Sequence, residues 1–365
     1  MREYLLCLFA AAAVTYLATA PVRRLAIGIG AVAEVRDRDV HAEPTPRLGG
    51  LAMFLGLLAG MLLSSKLPMM REVFPHTREW FGLLAGCTLI VALGVVDDRF
   101  GLDAPTKFAG QVLAAAVMAF EGVQVLYLPT GSGSVVLDPT TSIVLTVLVV
   151  VVTVNAINFV DGLDGLAAGI VAIAALAFFA YSYLLSVEYG FQRATMPTLI
   201  SACLAGICLG FLPHNLYPAR IFMGDTGAML IGLLLAASTI TMSGQVDTGA
   251  LEGTTLLPAL LPILLPVAVV AIPLIDLLLA VVRRTRARRS PFAADKEHLH
   301  HRLLELGHSQ RRAVLLLHLW TLLIAGAAVA LAFVPVAVAA LGFFAGVVVL
   351  VLAVRWPTLQ TRFRV

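Results

Sequence analysis

The chain has 365 residues and a formal net charge of +3; 60% of its residues are hydrophobic and only 13% are charged. A soluble globular domain is about 45–50% apolar and about 25% charged, so the composition excludes a single soluble core and indicates a protein that lies in lipid. The net charge is small and the basic residues are clustered, which gives no reason to expect a nucleic-acid partner.

Eleven apolar runs are long enough to cross a bilayer as helices, which takes about 17–25 residues each. The first run is followed by Pro21 and Arg23, so we expect a retained span and not a cleaved signal peptide. The pattern predicts an all-α, polytopic membrane helical bundle that forms one domain over residues 1–365. The runs lie near 4–22, 49–66, 80–96, 107–127, 142–157, 164–186, 197–213, 227–243, 257–282, 313–333 and 335–354.

Basic residues indicate the orientation of these spans. If the N-terminus lies outside, 20 of the 25 Lys and Arg residues fall on inside segments. Cytoplasmic loops carry such an excess in bacterial membrane proteins. We therefore predict an outside N-terminus, and a short hairpin or loop outside at 126–138. The predicted inside segments before the C-terminal tail are 23–48, 97–107, 155–166, 214–226 and 283–312.

Five acidic residues fall at the predicted cytoplasmic boundary of the membrane. Ionisable groups at such depths are costly and usually face a polar cavity or one another. Five carboxylates on one face would repel each other unless a cation lay among them, and Mg²⁺ prefers oxygen ligands of this kind. Each group also has a structural interpretation, as a loop start or a helix N-cap, but their shared position favours a site. The residues are Asp97, Asp98, Asp161, Asp164 and Asp225.

The inside segment 283–312 adds positive charge. Its stem, Arg283–Arg289, is typical of an anchor to anionic lipid headgroups. Three histidines and an arginine follow, and they suit recognition of a diphosphate or a sugar because a guanidinium forks onto phosphate oxygens. Zinc is the alternative, disfavoured because the cysteines lie in membrane spans and the three histidines do not all lie on one helical face. These four residues are His298, His300, His301 and Arg302.

The polar segments occur in the order typical of the polyprenyl-phosphate N-acetylhexosamine-1-phosphate transferases, a family that the chain resembles over nearly its whole length. Its branch for UDP-MurNAc-pentapeptide typically has ten spans and three consecutive histidines. Its UDP-N-acetylglucosamine branch typically has eleven spans and a His-x-His-His-Arg segment, as here, so the chain is more similar to the second. The matching strings are Pro46–Gly50, Val96–Asp98, Pro105–Lys107, Asn155–Gly165, Phe222–Asp225 and His298–Arg302.

The resemblance implies transfer of GlcNAc-1-phosphate from UDP-GlcNAc to undecaprenyl phosphate in the bacterial inner membrane, with UMP as the second product. It implies Mg²⁺, with Mn²⁺ as a substitute, held by Asp225 and Asn158. Membrane lipids are expected partners, as is a second copy of the chain in a homodimer. The implied catalytic residues are Asp97, Asp98 and Asp225, and the implied substrate-binding residues are Arg47, Lys107, Asn158, Asp161, Asp164, Phe222, His298, His300, His301 and Arg302.

Other classes fit less well. A transporter would usually place its charges near the bilayer midplane and carry inverted repeats, and neither feature is visible. A CDP-alcohol phosphotransferase needs an Ala-Arg pair after its Asp-Gly, which the string Asp161–Leu166 lacks. A membrane scaffold has no reason to hold five carboxylates on one face. The pentapeptide-using enzyme, or a transferase for another UDP-N-acetyl sugar, is the closest alternative, and the sequence leaves open which polymer the lipid product feeds.

Overall fold

The structure is a computed structural model that describes residues 1–33, 44–71, 78–130, 133–188, 195–243, 264, 282, 285–286 and 306–362. The ninth predicted span therefore lies, but for Leu264 and Val282, outside the described residues. The predicted histidine and arginine segment 298–302 lies outside them as well.

Within the described residues the chain forms eleven helices and two short antiparallel strand pairs. Eight helices are long and apolar enough to cross a membrane, and α2 and α5 are shorter apolar helices. The helices are α1 (Arg2–Gly28), α2 (Gly49–Ser64), α3 (Pro68–Arg71), α4 (Glu79–Phe100), α5 (Ala104–Phe120), α6 (Pro139–Val160), α7 (Leu166–Glu188), α8 (Thr195–Asn215), α9 (Gly224–Ser243), α10 (Gln310–Phe333) and α11 (Val336–Arg362).

The prediction of an all-α polytopic membrane bundle is confirmed, and each of the ten predicted spans that fall on described residues contains a helix. The last two spans are separate because α10 ends at Phe333 and α11 begins after Pro335. Proline lacks the N–H group that would continue a helix.

The four strands are short. β1 (Val32–Ala33) pairs with β2 (Thr45–Pro46) just before α2. β3 (Tyr127–Thr130) pairs with β4 (Gly133–Val136), so the predicted segment 126–138 contains a hairpin. Neither pair contributes a sheet to the core, which is formed by helices.

Helix α9 is the centre of the bundle, and every residue from Thr226 to Ser243 is buried. It packs against α2, α4, α6 and α8. In contrast, most of the side chains of α11 that are described face outward, as expected for a helix that contacts lipid. A helix enclosed by others can carry polar groups at its end into a shielded environment, so the first turn of α9 is a suitable place for a site.

Candidate active site

The start of α9 is held by the segment that leads into α2. The Gly49 N–H donates to the Phe222 carbonyl (3.0 Å), and the Gly50 N–H donates to the Met223 carbonyl (2.9 Å). In the opposite direction, the Phe222 N–H donates to the carbonyl of Pro46 (2.8 Å). These backbone bonds place the string 46–50 beside the string 222–225, although about 170 residues separate them in sequence.

Glycines allow the helices to approach closely at this point. A Cβ atom on Gly50 would overlap the backbone of Gly227, and one on Gly94 of α4 would overlap Thr226. Gly224 has a φ of 68°, a left-handed conformation that side chains with a Cβ rarely adopt. Small residues at helix contacts are typical of membrane bundles. Here they bring the start of α2, the last turns of α4 and the start of α9 together.

Asp98, near the end of α4, caps α9 from outside that helix. Its carboxylate accepts hydrogen bonds from the Asp225 N–H (2.9 Å), the Thr226 N–H (3.1 Å) and the Thr226 hydroxyl (2.6 Å). The first N–H groups of a helix have no partner within it, and a negative charge there is favourable to the helix dipole. Because both oxygens of Asp98 face these donors, the geometry gives it a positioning role for Asp225.

Asp97 belongs to a different cluster, although it is the neighbour of Asp98 in sequence. The Lys107 ammonium lies 2.9 Å from Asp97 Oδ2 and 2.7 Å from Asp225 Oδ1. The Leu102 N–H donates to Asp97 Oδ1 (2.7 Å), and the Asn158 amide donates to Asp225 Oδ1. Helices α4, α5, α6 and α9 thus each contribute one polar side chain to a single cluster, the acidic cluster Asp97, Lys107, Asn158 and Asp225.

A second pair of carboxylates lies between α6 and α7. Asp164 is 3% exposed and accepts the Ala219 N–H (2.9 Å). In the same corner Asn215 accepts the Gly165 N–H (3.1 Å) and donates to the Ile221 carbonyl (3.1 Å). These bonds tie the loop after α6 to the loop before α9.

Asp161 is the less restrained member of this second pair. It is half-buried, and its carboxylate accepts no hydrogen bond from the part of the chain that is described. Burial, together with the negative charges of Asp225, Asp98 and Asp164, raises its pKa from 3.8 to about 8, while Arg47 opposes the shift. A carboxylate under such repulsion is stabilised by any cation that enters the site.

Comparison with known proteins identifies the family. The pattern of glycosyl transferase family 4 matches residues 80–243. The chain is 50% identical over 340 residues to decaprenyl-phosphate N-acetylglucosaminephosphotransferase of Mycobacterium tuberculosis, covering 92% of this chain and 84% of that protein. The chain belongs to the polyprenyl-phosphate N-acetylhexosamine-1-phosphate transferase family. It is therefore a multi-pass bacterial membrane transferase.

Two further relatives agree with this assignment. The Mycolicibacterium smegmatis protein of the same name is 49% identical over 340 residues, covering 92% of this chain and 84% of the relative. The undecaprenyl-phosphate alpha-N-acetylglucosaminyl 1-phosphate transferase of Yersinia pestis is 31% identical over 308 residues, covering 83% of this chain and 77% of the relative. The names of these relatives share the transferred sugar and differ in the lipid.

The acidic cluster of this family member has the donor types that Mg²⁺ prefers. Two carboxylate oxygens, from Asp97 and Asp225, converge on one cation, the Lys107 ammonium. Within the described residues no three His, Cys, Asp or Glu side chains form a metal site. Mg²⁺ does not require one, because it is usually bound by one or two carboxylates together with substrate phosphates. The residues present therefore fit a Mg²⁺ ion that arrives with a diphosphate.

A second polar layer in this transferase was missed by the sequence analysis. The Asn155 amide donates to Gln111 Oε1 (2.7 Å), and the Gln111 amide lies 3.5 Å from the sulfur of Met229. Gln111 is 1% exposed. Gln111 lies four residues after Lys107, Asn155 three before Asn158, and Met229 four after Asp225. Each is therefore one helical turn deeper in the bundle than the acidic cluster. That spacing was the signal that could have revealed them.

The remaining predicted residues lie near the cluster with different degrees of restraint. Phe222 is half-buried, and its backbone is bonded to both Pro46 and Gly49. Arg47 is half-buried and close enough to Asp161 to influence its charge. The structure brings together the predicted residues of α4, α5, α6 and α9 directly. The roles assigned to His298, His300, His301 and Arg302 stay predictions, since these residues lie outside the described part of the chain.

Proposed function

We propose that the protein transfers N-acetylglucosamine-1-phosphate from UDP-GlcNAc to a polyprenyl phosphate and releases UMP. The observation that supports this most is the meeting of Asp97, Lys107, Asn158 and Asp225 at one end of the bundle. A membrane site with carboxylates for a metal, and an ammonium for a phosphate, suits an acceptor whose phosphate lies at the bilayer surface. The shared sugar in the names of the relatives supports GlcNAc.

In the proposed reaction a phosphate oxygen of the lipid attacks the phosphorus that carries the sugar. The bond from that phosphorus to the bridging oxygen of the diphosphate breaks, and UMP leaves with the electron pair. One phosphoanhydride replaces another, so the equilibrium should lie near unity. Such a displacement needs mainly positioning and neutralisation of negative charge.

Mg²⁺, with Mn²⁺ as a substitute, is part of the proposal, and when bound it would neutralise the diphosphate of the donor. Asp225 would hold it, and its carboxylate is 26% exposed and so open to the substrate side. The Asn158 side-chain amide donates a hydrogen bond to Asp225 and so orients it. Asn158 is also the proposed second ligand of the metal ion. Lys107 would exchange its carboxylate contacts for a phosphate, as an ammonium with three donors can.

Asp97 is proposed to orient the lipid phosphate instead of acting as its base. A phosphate monoester has a second pKa near 6 and is largely dianionic at pH 7, so the attacking oxygen needs no deprotonation. Phe222 is proposed to stack on uracil, and Arg47 and Asp161 to line the nucleotide-sugar pocket.

The proposal also concerns the length of the lipid acceptor. The family resemblance implies undecaprenyl phosphate, whereas the mycobacterial relatives at 50% and 49% identity are named for decaprenyl phosphate. The two acceptors share a phosphate and differ by one isoprene unit in the tail. Since the acidic cluster would contact only the phosphate, we propose that it accepts both, with decaprenyl phosphate favoured by the closer relatives.

The test is UMP release by purified protein with Mg²⁺ and either lipid, using UDP-GlcNAc or UDP-MurNAc-pentapeptide as the donor. We expect release from UDP-GlcNAc alone, abolished by EDTA. Turnover with only the pentapeptide donor would move the chain to the other branch. Activity that persists in EDTA would remove the metal from the proposal.

A further inference from the structure

Two arginines from separate helices hold the loop that joins α8 to α9. The Arg23 Nε–H, from α1, donates to the Arg220 carbonyl (2.8 Å). The Arg311 Nε–H, from α10, donates to the Tyr217 carbonyl (3.1 Å), and its guanidinium carbon lies 5.7 Å from the centre of the Tyr217 ring. Arg23, Arg220 and Arg311 are here called the arginine clamp.

The clamp has unused capacity for an anion. An arginine has five N–H donors in a planar fork, and Arg23 and Arg311 each use one in the contacts above. All three clamp residues are exposed. Among the described residues, no carboxylate forms an ion pair with any of them. The carbonyl contacts fix the two guanidinium groups in place, which reduces the entropy lost when a ligand binds.

The surroundings of the clamp are apolar and exposed. Leu216 and Tyr217, in the chain segment that the arginines hold, have 50% and 41% of their surface accessible. The predicted orientation places all these residues at the inner boundary of the membrane. Guanidinium groups beside exposed apolar side chains at this height match a phospholipid, whose charged headgroup and acyl chains are joined in the same order.

We propose that the arginine clamp binds the phosphodiester headgroup of an anionic phospholipid of the inner leaflet. Arg23 and Arg311 contact the phosphate with their terminal N–H groups, and the acyl chains lie against Leu216. The same loop donates the Ala219 N–H to Asp164, so the lipid lies one loop away from the acidic residues. This inference does not depend on the transferred sugar or on the acceptor.

Lipid retention by native mass spectrometry tests the proposal without any measurement of activity. The purified protein is incubated in detergent with equal amounts of phosphatidylglycerol and phosphatidylcholine, and the bound lipids are counted. We expect a preference for phosphatidylglycerol that falls about fivefold for each clamp arginine removed, because the headgroup phosphate then loses a charge-assisted hydrogen bond. Arg23→Gln with Arg311→Gln should therefore reduce it by at least tenfold.

The matched control is Arg24→Gln with Arg312→Gln. It removes the same charge from exposed neighbours that make no carbonyl contact among the described residues, and we expect less than a threefold change. Equal losses in the two double variants would overturn the proposal in favour of a general charge effect. If the first double variant does not fold, each single variant must lose about fivefold, and no loss in either would refute the clamp.

A further arm separates a lipid site from a free-phosphate site. Excess inorganic phosphate should leave the bound phosphatidylglycerol in place, because the acyl chains contribute to its binding. Displacement of the lipid by inorganic phosphate would contradict the assignment to a phospholipid headgroup.

Discussion

The site contains two carboxylate pairs, Asp97 with Asp98 and Asp161 with Asp164, and in each pair the two members make different contacts. In the pair that ends α4, Asp98 gives its oxygens to the first turn of α9, while Asp97 contacts the Lys107 ammonium. In the pair after α6, Asp164 is buried and accepts the Ala219 N–H, while Asp161 is half-buried under neighbouring negative charge. In each pair one carboxylate accepts N–H groups of α9 or of the loop that leads into it, and the other lies among charged side chains.

The different contacts within each pair allow the helix ends of the site to hold several carboxylates near one another. Asp98 and Asp164 accept backbone N–H groups, and hydrogen bonds to the charged form of a carboxylate favour that form. The other carboxylate of each pair lies near a cation, which is Lys107 for Asp97 and Arg47 for Asp161. Substitutions that neutralise one member of each pair should separate the two roles.

The largest effect is expected at Asp225, whose N–H group donates to Asp98 and whose carboxylate contacts Lys107. Asp225→Asn should reduce kcat/KM for UMP release by about 10³-fold, because it removes the proposed metal ligand at the site of developing charge. Asp138→Asn is the matched control: it makes the same change in the N-cap of α6, where Asn is an equally good cap. A fall of less than tenfold in Asp225→Asn would place the metal elsewhere.

Asp97→Asn should lower kcat by about 10²-fold and leave KM for the donor nearly unchanged, since positioning of the lipid phosphate is lost while the nucleotide pocket remains. Steady-state UMP release at several pH values measures this. If the variant instead kept its activity but showed a steeper acid side in its pH profile, Asp97 would act as a general base and not only orient the lipid phosphate.

Asp98→Asn should cost less activity and more stability than Asp97→Asn. An amide keeps one acceptor oxygen but turns an NH₂ group toward donors, which costs about 1–3 kcal/mol for a buried hydrogen-bonded group. We expect about a tenfold loss of kcat together with a lower Tm in detergent. A loss as large as that of Asp97→Asn with an unchanged Tm would show that Asp98 contacts the substrate.

The smallest effect is a change in how stability depends on pH. The unfolded chain releases the Asp161 proton near pH 4 and the folded chain only near pH 8. Between these values the folded state binds more protons, so the stability of the metal-free protein should fall as pH rises. Asp161→Asn should remove this fall and raise Tm at pH 8 in EDTA by about 2–4 °C. Asp164→Asn should lower Tm instead, and an identical rise in both variants would contradict the division of roles.

Much of the fold follows from the sequence, because apolar runs of membrane length have few alternative structures. The Pro335 break and the hairpin at 126–138 were also readable from local signals. The acidic residues and Lys107 could be assigned to one face from topology alone. What the sequence could not give was the difference between Asp97 and Asp98.

That difference depends on distant contacts. Adjacent residues near the end of a helix point about 100° apart, since a helix has 3.6 residues per turn. Only the packing of α4 against α5 and α9 decides which of the two side chains meets the N–H groups of α9. Gln111 escaped attention for a similar reason. Its helical spacing from Lys107 can be read from the sequence, but only the fold places it beside its partner Asn155, 44 residues away.

Isotope exchange tests the central claim most directly, namely that the acidic cluster positions the lipid phosphate for direct attack on the donor. Labelled UMP is incubated with UDP-GlcNAc, Mg²⁺ and wild-type protein, with and without polyprenyl phosphate, and label in UDP-GlcNAc is measured. Direct attack predicts exchange only when the lipid is present, and almost none in Asp225→Asn. Exchange without the lipid would contradict the account, because it would require a sugar-phosphate intermediate attached to the protein.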